Sequence, residues 1–213
     1  MSKGNLQSKL FYCDHLGASE HDEQDIMNFT IRDEKGLGLL QYIQHFAFPE
    51  EDTGVMRTYI VRDNRSSEMV GYFSLKAGLI SYNERDIPIV DETTGEEFID
   101  ELTGEIKTRR VFDTLPGVEL ADFAVNQRYI HNHPNLKGVG LVIYNSFILP
   151  IVRQAAETIG IKILYLFALP YDDLIHRYET YGFSRLNKEL EIELHKRLKP
   201  HYDDSCKFMF RIL

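Results

Sequence analysis

Cysteine is scarce in this chain. Cys13 and Cys206 are its only two, far apart and in no metal-like spacing. That leaves no disulfide framework and points to a reduced, cytoplasmic setting. Long hydrophobic runs are also missing. The longest, 141–152, is interrupted by Asn145, Ser146 and Pro150. It is too short and too polar to span a bilayer, so no membrane partner is expected. The first ten residues have no apolar core of the kind a signal peptide needs. Positive charge is in deficit: 24 Lys and Arg face 33 Asp and Glu, for a net charge of −9. This argues against nucleic acid as a partner, because its phosphates require local Lys and Arg. Two phosphate-binding fingerprints are absent as well. No Gly-x-Gly-x-x-Gly follows the first strand, and no Gly-Lys-Ser/Thr occurs. No internal repeat or low-complexity tract stands out.

What is present suits a globular α/β protein. With 213 residues and 43% apolar content, the chain is long enough to build a core without staples. The expected organisation is a single domain over 1–213 with an acidic insertion at 81–116. Residues 1–26 read as polar and irregular, and 28–32 as a short strand. Apolar residues at Leu37, Leu40, Ile43, Phe46 and Ala47 give a helix that Pro49 and the acids behind it should end. Residues 56–62 and 69–80 alternate like two strands of a hairpin, with the turn at 64–67.

The stretch 83–106 then carries nine acids and a single base, Arg85. It reads as an excursion with a short helix at 96–102. It is either a solvated loop or an acidic wall that attracts a cationic substrate. A strand resumes at 118–125, followed by a loop at 126–137. A long helix occupies 138–158, with Pro150 set to kink it and Gly160 to stop it. The nearly all-apolar 161–169 is a buried central strand. A helix runs from Pro170 to Tyr181, with Asp172 and Asp173 at its positive end. A strand from Phe183, a helix at 187–198 and a strand at 207–212 complete the chain. Strand–helix–strand units in the second half imply a partly parallel sheet.

Two short runs carry the chemistry. Asn135-Leu136-Lys137-Gly138-Val139-Gly140-Leu141 lies between a strand and a helix. Bare amides at a helix start bind phosphate, and glycines let the backbone approach it closely. Lys137 adds a positive charge. In Tyr178-x-x-x-Gly182-Phe183, the phenol lies one turn before the helix stop, where it can project and give up a proton. In isolation, the first run is equally a plain turn and the second an amphipathic tyrosine at a helix–sheet contact.

Together with Glu119-Leu120-Ala121-Asp122-Phe123-Ala124-Val125 and Val70-Gly71-Tyr72-Phe73, these runs resemble the GNAT superfamily of acyl-coenzyme A-dependent N-acyltransferases. The resemblance spans most of 28–80 and 117–213. It implies a three-layer fold with a mixed sheet of about six or seven strands, a splayed fourth and fifth strand pair, and helices on both faces. It implies acetyl-CoA as co-substrate. Its pantetheine arm would pair with the backbone of Phe123, Ala124 and Val125, and its pyrophosphate would lie on the amides of 137–141, beside Asn135. Tyr178 would protonate the departing sulfur. Glu119 would serve as base, directly or through water, and Asp122 would grip the amine or support the structure.

The sequence departs from the family pattern in three places. Asn135 replaces the usual Gln or Arg, 130–134 lengthens the loop, and Tyr171 stands where Asn is frequent. His131 and His133 are too few to hold a metal. The implied activity is acetyl transfer to a primary amine of a cationic small molecule, peptide or protein. Such proteins often pair as homodimers. Two other readings are a toxin of this fold that acetylates aminoacyl-tRNA and a non-catalytic acyl-CoA-binding module.

Overall fold

A computed structural model describes residues 6–32, 34–198 and 205–213. Residues 1–5, part of the expected irregular N-terminus, lie outside the described residues. The chain opens with β1 (Leu6–Gln7), β2 (Phe11–His15) and α1 (Asp22–Met27). A helix over 37–53, α2, leads to β3 (Arg57–Asp63), β4 (Met69–Pro88) and β5 (Thr108–Val125). Then come α3 (Gln127–Asn132), α4 (Val139–Ile159), β6 (Ile163–Ala168) and α5 (Asp172–Thr180). β7 (Ser184–Arg185), α6 (Lys188–His195) and β8 (Lys207–Ile212) follow.

The strands form one sheet in the order β1-β2-β3-β4-β5-β6-β8-β7. Only β5 and β6 pair in parallel among these neighbours. Alternation sends Phe73, Leu75, Val118 and Leu120 to one face, where they pack with Ile143, Phe147 and Val152 of α4. Ile60, Tyr72 and Ala124 face the other way, onto Tyr42, Ile43 and Ala47 of α2. Ile80, Tyr165, Phe167 and Phe208 pack with Leu194 of α6.

Several expectations need correction. Residues 6–26 are not irregular: β2 alternates, with Phe11 and Cys13 buried against the core. The strand expected at 28–32 does not form. Phe29 is buried there, and the Thr30 amide donates to Asn126 Oδ1. Among the described residues the sheet counts eight strands, two of them only two residues long, in keeping with the six or seven or so expected. The loop at 126–137 contains α3, capped by Asn126, whose side chain accepts from the Arg128 amide.

Neither helical proline ends or breaks its helix. A π turn at Tyr42–Phe46 precedes Pro49, and another at Tyr144–Ile148 precedes Pro150. In a regular helix a proline loses one hydrogen bond and strikes the carbonyl four residues back, at a cost of about 3 kcal/mol. Those carbonyls belong to His45 and Ser146, both inside the widened turns, where i→i+5 geometry moves them away. So α2 runs on to Thr53 and stops at Gly54, whose φ is 74°. By length and composition, α4 is apolar enough to cross a membrane. Its Ile143, Phe147, Ile148 and Val152 are instead wholly buried within the protein.

The acidic insertion is not a loop with a helix. β4 and β5 continue past the sheet as a two-stranded ribbon to Pro88 and Thr108. Arg110 pairs with Glu84 at 2.7 Å, and Arg85 with Asp113 at 2.8 Å. Arg197, just beyond α6, joins Glu84 and lies over the Phe112 ring, which fixes the ribbon's base. The ribbon's tip also holds a repeat that the sequence reading passed over: Asp-Glu-x-Thr-Gly-Glu at 91–96 and again at 100–105. Each copy folds into the same turn. Asp91 Oδ1 accepts from the amides of Thr93 and Thr94, and Asp100 Oδ1 from those of Leu102 and Thr103. Gly95 and Gly104 take the left-handed conformation that closes each turn. Many of the acids therefore serve local structure.

A buried ion triad ties α1 to the sheet. Arg62, 4% exposed, donates to Asp22 at 2.6 Å and to Asp25 at 2.5 Å. Removing the arginine strands the Asp22 carboxylate inside the protein. Arg62→Ala should therefore cost about 3–5 kcal/mol, read as a lowered denaturation midpoint in urea.

Candidate active site

The site begins where two strands part. β5 pairs with β6 only through Gly117↔Ile163, Val118↔Leu164 and Glu119↔Tyr165. Beyond Glu119, β5 stays with β4 to Val125, while β6 continues with β8 to Ala168. The β6-facing edge of β5 over 120–125 thus has no strand beside it. Its backbone groups suit an extended, amide-bearing chain. Phe123, Ala124 and Val125 lie on this stretch.

At the parting, β5 carries a bulge. Ser74 stands opposite Asp122 and Leu75 opposite Leu120, so Ala121 is the extra residue. In a regular strand, residues three apart point to opposite faces. Here Lys76 opposes Glu119 and Ser74 opposes Asp122. Since Ser74 and Lys76 share a face, the bulge puts both carboxylates on that face. It is the α2 face, and Ala121 packs there too.

Glu119 is half-buried and accepts a long hydrogen bond, 3.4 Å, from the Tyr165 hydroxyl. The Tyr165 ring lies across paired glycines. A Cβ on Gly78 would sit 1.9 Å from its hydroxyl, and one on Gly117 would sit 3.1 Å from its ring. Asp122 is the more perturbed acid. Burial, then the charges of Glu50 and Glu119, push its pKa up to about 7. It has no hydrogen bond or ion pair to any described residue. Beside it, the buried hydroxyls of Tyr42, Thr58 and Ser74 form a chain with steps of 3.1 and 3.0 Å.

Tyr178 approaches from α5. Its ring meets Tyr181 and Phe183 edge-on, at 6.0 and 5.7 Å. Burial raises its phenol above the ordinary range, with smaller contributions from Tyr181 and Asp122, while Arg177 opposes them. The Asp122 contribution means that phenol and carboxylate sense one another across the split. Among the described residues, the phenol has no hydrogen-bond partner.

The glycine run stands at the start of α4. Gly138 has a φ of 68°, and nothing lies within 4 Å of where a Cβ would be. The first bond of the helix runs from the Val142 amide to the Gly138 carbonyl, 3.1 Å. The amides of Val139, Gly140 and Leu141 are thus left at the helix's positive end. A Cβ on Gly140 would lie 3.0 Å from the Tyr181 hydroxyl and 3.7 Å from the Phe123 ring. The helix start therefore packs directly against the open strand edge. Asn135 and Lys137 are exposed beside it. These features fit a pyrophosphate at the amides and its attached arm along β5.

The structure brings together Glu119, Asp122, Phe123, Ala124, Val125, Tyr178 and the start of α4. It also brings in residues that sequence reading missed. Glu50 comes from α2. Arg211 locks the turn after Tyr178 by donating to the Tyr181 carbonyl at 2.6 Å, close above Gly182. No local pattern marks either one. His133 is taken up structurally, stacked on Tyr129 at 4.1 Å and bonded to its carbonyl. Two surface concavities, one around Asn28, Glu68 and Arg128 and one along Ile151, Ala155 and Ile159, involve none of the site's acids nor Tyr178.

Solved structures share this architecture. A tyrosine-to-phenylalanine mutant of the toxin AtaT, bound to the C-terminus of the antitoxin AtaR and acetyl-CoA, aligns at a TM-score of 0.55. It is 16% identical, over 93% of this chain and 91% of that one. The chain has the GNAT fold. A mutant of KacT aligns at 0.59, with 14% identity over 96% and 95% of the two chains. AtaT complexed with acetyl-methionyl-tRNAfMet aligns at 0.55, with 14% identity over 93% of each. No family model and no curated protein matches the sequence.

The raised pKa of Asp122 has a thermodynamic signature. The folded value, about 7, lies above the unfolded value of about 3.9. Folding therefore favours the protonated acid. Its contribution is whole below pH about 4 and is lost as pH rises to about 7. Asp122→Asn should gain stability over the wild type across that window, by up to about 1.4 kcal/mol per pH unit, and level off above it. Urea titrations of both proteins from pH 4 to 8 measure this.

Proposed function

We propose that this protein transfers an acetyl group from acetyl-CoA to a primary amine, by direct attack within a ternary complex. The observation that carries the reading is the meeting of three features at one strand split. An unpartnered carboxylate lies on one side, an unpartnered phenol on the other, and an open strand edge leads to a glycine-flanked helix start. Acetyl-CoA supplies the activated carbonyl. The amides of 139–141 and Lys137 hold its diphosphate, and the backbone of 123–125 aligns its arm. The amine nitrogen bonds to the carbonyl carbon as the carbon–sulfur bond breaks.

The amine arrives as an ammonium and must lose a proton first. A base works best with a pKa near the working pH. Asp122, at about 7, meets that condition, so it takes the role first assigned to Glu119. Glu119 lies on the same face and raises the Asp122 pKa through its charge. Tyr178 keeps its proton throughout the neutral range and donates it to the leaving sulfur, and the second proton that the acylated nitrogen gives up restores the phenol.

A second reading has one observation in its favour, the AtaT structure with acetyl-methionyl-tRNAfMet. On that reading the acceptor is the amine of an aminoacyl-tRNA. The net charge of −9 counts against it, because tRNA binding needs a basic track. A free-thiol assay with acetyl-CoA against polyamines, amino acids, aminoglycosides, basic peptides and charged tRNA separates the readings. In that assay Tyr178→Phe should lower kcat about 100-fold or more, while calorimetry still finds acetyl-CoA bound. Asp122→Asn should remove the ascending limb of the pH–rate profile centred near pH 7. Binding of acetyl-CoA with no thiol released from any acceptor would point to a non-catalytic module.

A further inference from the structure

On the α2 face of the site, Glu50 and Asp122 are paired with no cation among the described residues. Glu50 lies in the last turns of α2, which is docked on β3 by its neighbour. Glu51 accepts from the Thr58 amide at 2.7 Å and pairs with Arg57 at 3.1 Å. Glu50 shares none of this. Its Oε2 is closed off from solvent and has no hydrogen-bond partner. Its charge reaches the Tyr42 hydroxyl and Asp122. No Lys, Arg or His among the described residues pairs with Glu50 or Asp122. Buried carboxylates in proteins are ordinarily matched by a cation or by several donors. Here two lie over one stretch of sheet, Glu50 next to Glu51 on Thr58, Thr58 opposite Ser74 and Ser74 opposite Asp122, unmatched beside the gap where the amine would enter. Selection for stability alone would remove such a pair.

We infer that Glu50 is a specificity residue that seats a second positive charge on the acceptor, so that the substrate is a diamine or polyamine. This rests on the acetyl-transfer reading and narrows it. The reacting ammonium gives its proton to Asp122 and becomes neutral before attack. It then no longer offsets Glu50. A second ammonium a few bonds away does so throughout the reaction and holds the reacting nitrogen at the split. A monoamine leaves Glu50 uncompensated once its proton is gone, and so it is the poorer substrate.

The test compares 1,4-diaminobutane with butylamine, which has the same four carbons, in the full-length protein with acetyl-CoA. The wild type should show kcat/KM at least 30-fold higher for the diamine. In Glu50→Gln that ratio should fall at least tenfold, mainly through KM. A second measurement does not depend on turnover. The diamine should raise the wild-type melting temperature and leave that of Glu50→Gln unmoved. Equal rates for the two amines in the wild type, or an unchanged ratio in Glu50→Gln, would overturn the seat and leave acetyl transfer standing. Thermal stabilisation by the diamine without any thiol release would keep the seat and sink the transfer reading. Thiol release from charged tRNA alone would overturn the diamine.

Discussion

The parting of β5 from β6 is the constraint on which the rest depends. Parallel neighbours with no obstacle between them would stay paired to their ends. Here pairing stops after Glu119↔Tyr165. Two features mark the stopping point. Tyr165 lies over Gly78 and Gly117, a seat that a Cβ at Gly78 would block and one at Gly117 would crowd. The bulge at Ala121 turns β5 two residues later. An extended chain can then use the open edge. The same bulge rotates Asp122 onto the face that already carries Glu119. One irregularity in one strand thus makes both a binding edge and a paired-acid surface.

The electrostatics follow from where those acids point. A lone carboxylate at a strand end, open to water, would titrate near 4. Asp122 is instead half-buried and faces two other acids, so its proton affinity climbs to about 7. The stability lost in this way is of the kind that functional sites carry, and the core elsewhere offsets it. Arg62 shows the ordinary alternative. Buried more deeply than Asp122, it is met by two aspartates and a carbonyl. The contrast within one protein separates charges placed for structure from charges left open for a ligand.

Much of this was legible in the sequence, and the exceptions have physical causes. The strand–glycine–helix order and the Tyr-x-x-x-Gly-Phe ending are local patterns, so they located Tyr178 and the start of α4. The hairpin and the apolar β6 were clear because their periods were undisturbed. Glu50 was invisible, because its meaning lies in what fails to pair with it in space. The shared face of Glu119 and Asp122 was hidden by the bulge, which breaks the period that a strand reading assumes. The ribbon at 81–116 leaves no strand signal in the sequence, because both its faces meet solvent and no apolar alternation survives there. Pro49 does not end its helix because propensity rules describe a regular helix, whereas a π turn removes the clash.

The two signs of charge at the site are sorted by the sheet itself. Phe123 and Val125 lie beneath the start of α4, whose amides and Lys137 are positive. Asp122, Glu119 and Glu50 lie on the opposite face, under α2, and are negative. On the proposed reading, an anionic co-substrate would approach from one side and a cationic acceptor from the other, and neither would have to displace the other. The sheet between them is closed by hydrogen bonds except beyond Glu119, where the strands diverge. In the proposed reaction, a carbonyl held on the α4 side and a nitrogen held on the α2 side would meet at that gap. The order of strands and the distribution of charge both support that placement.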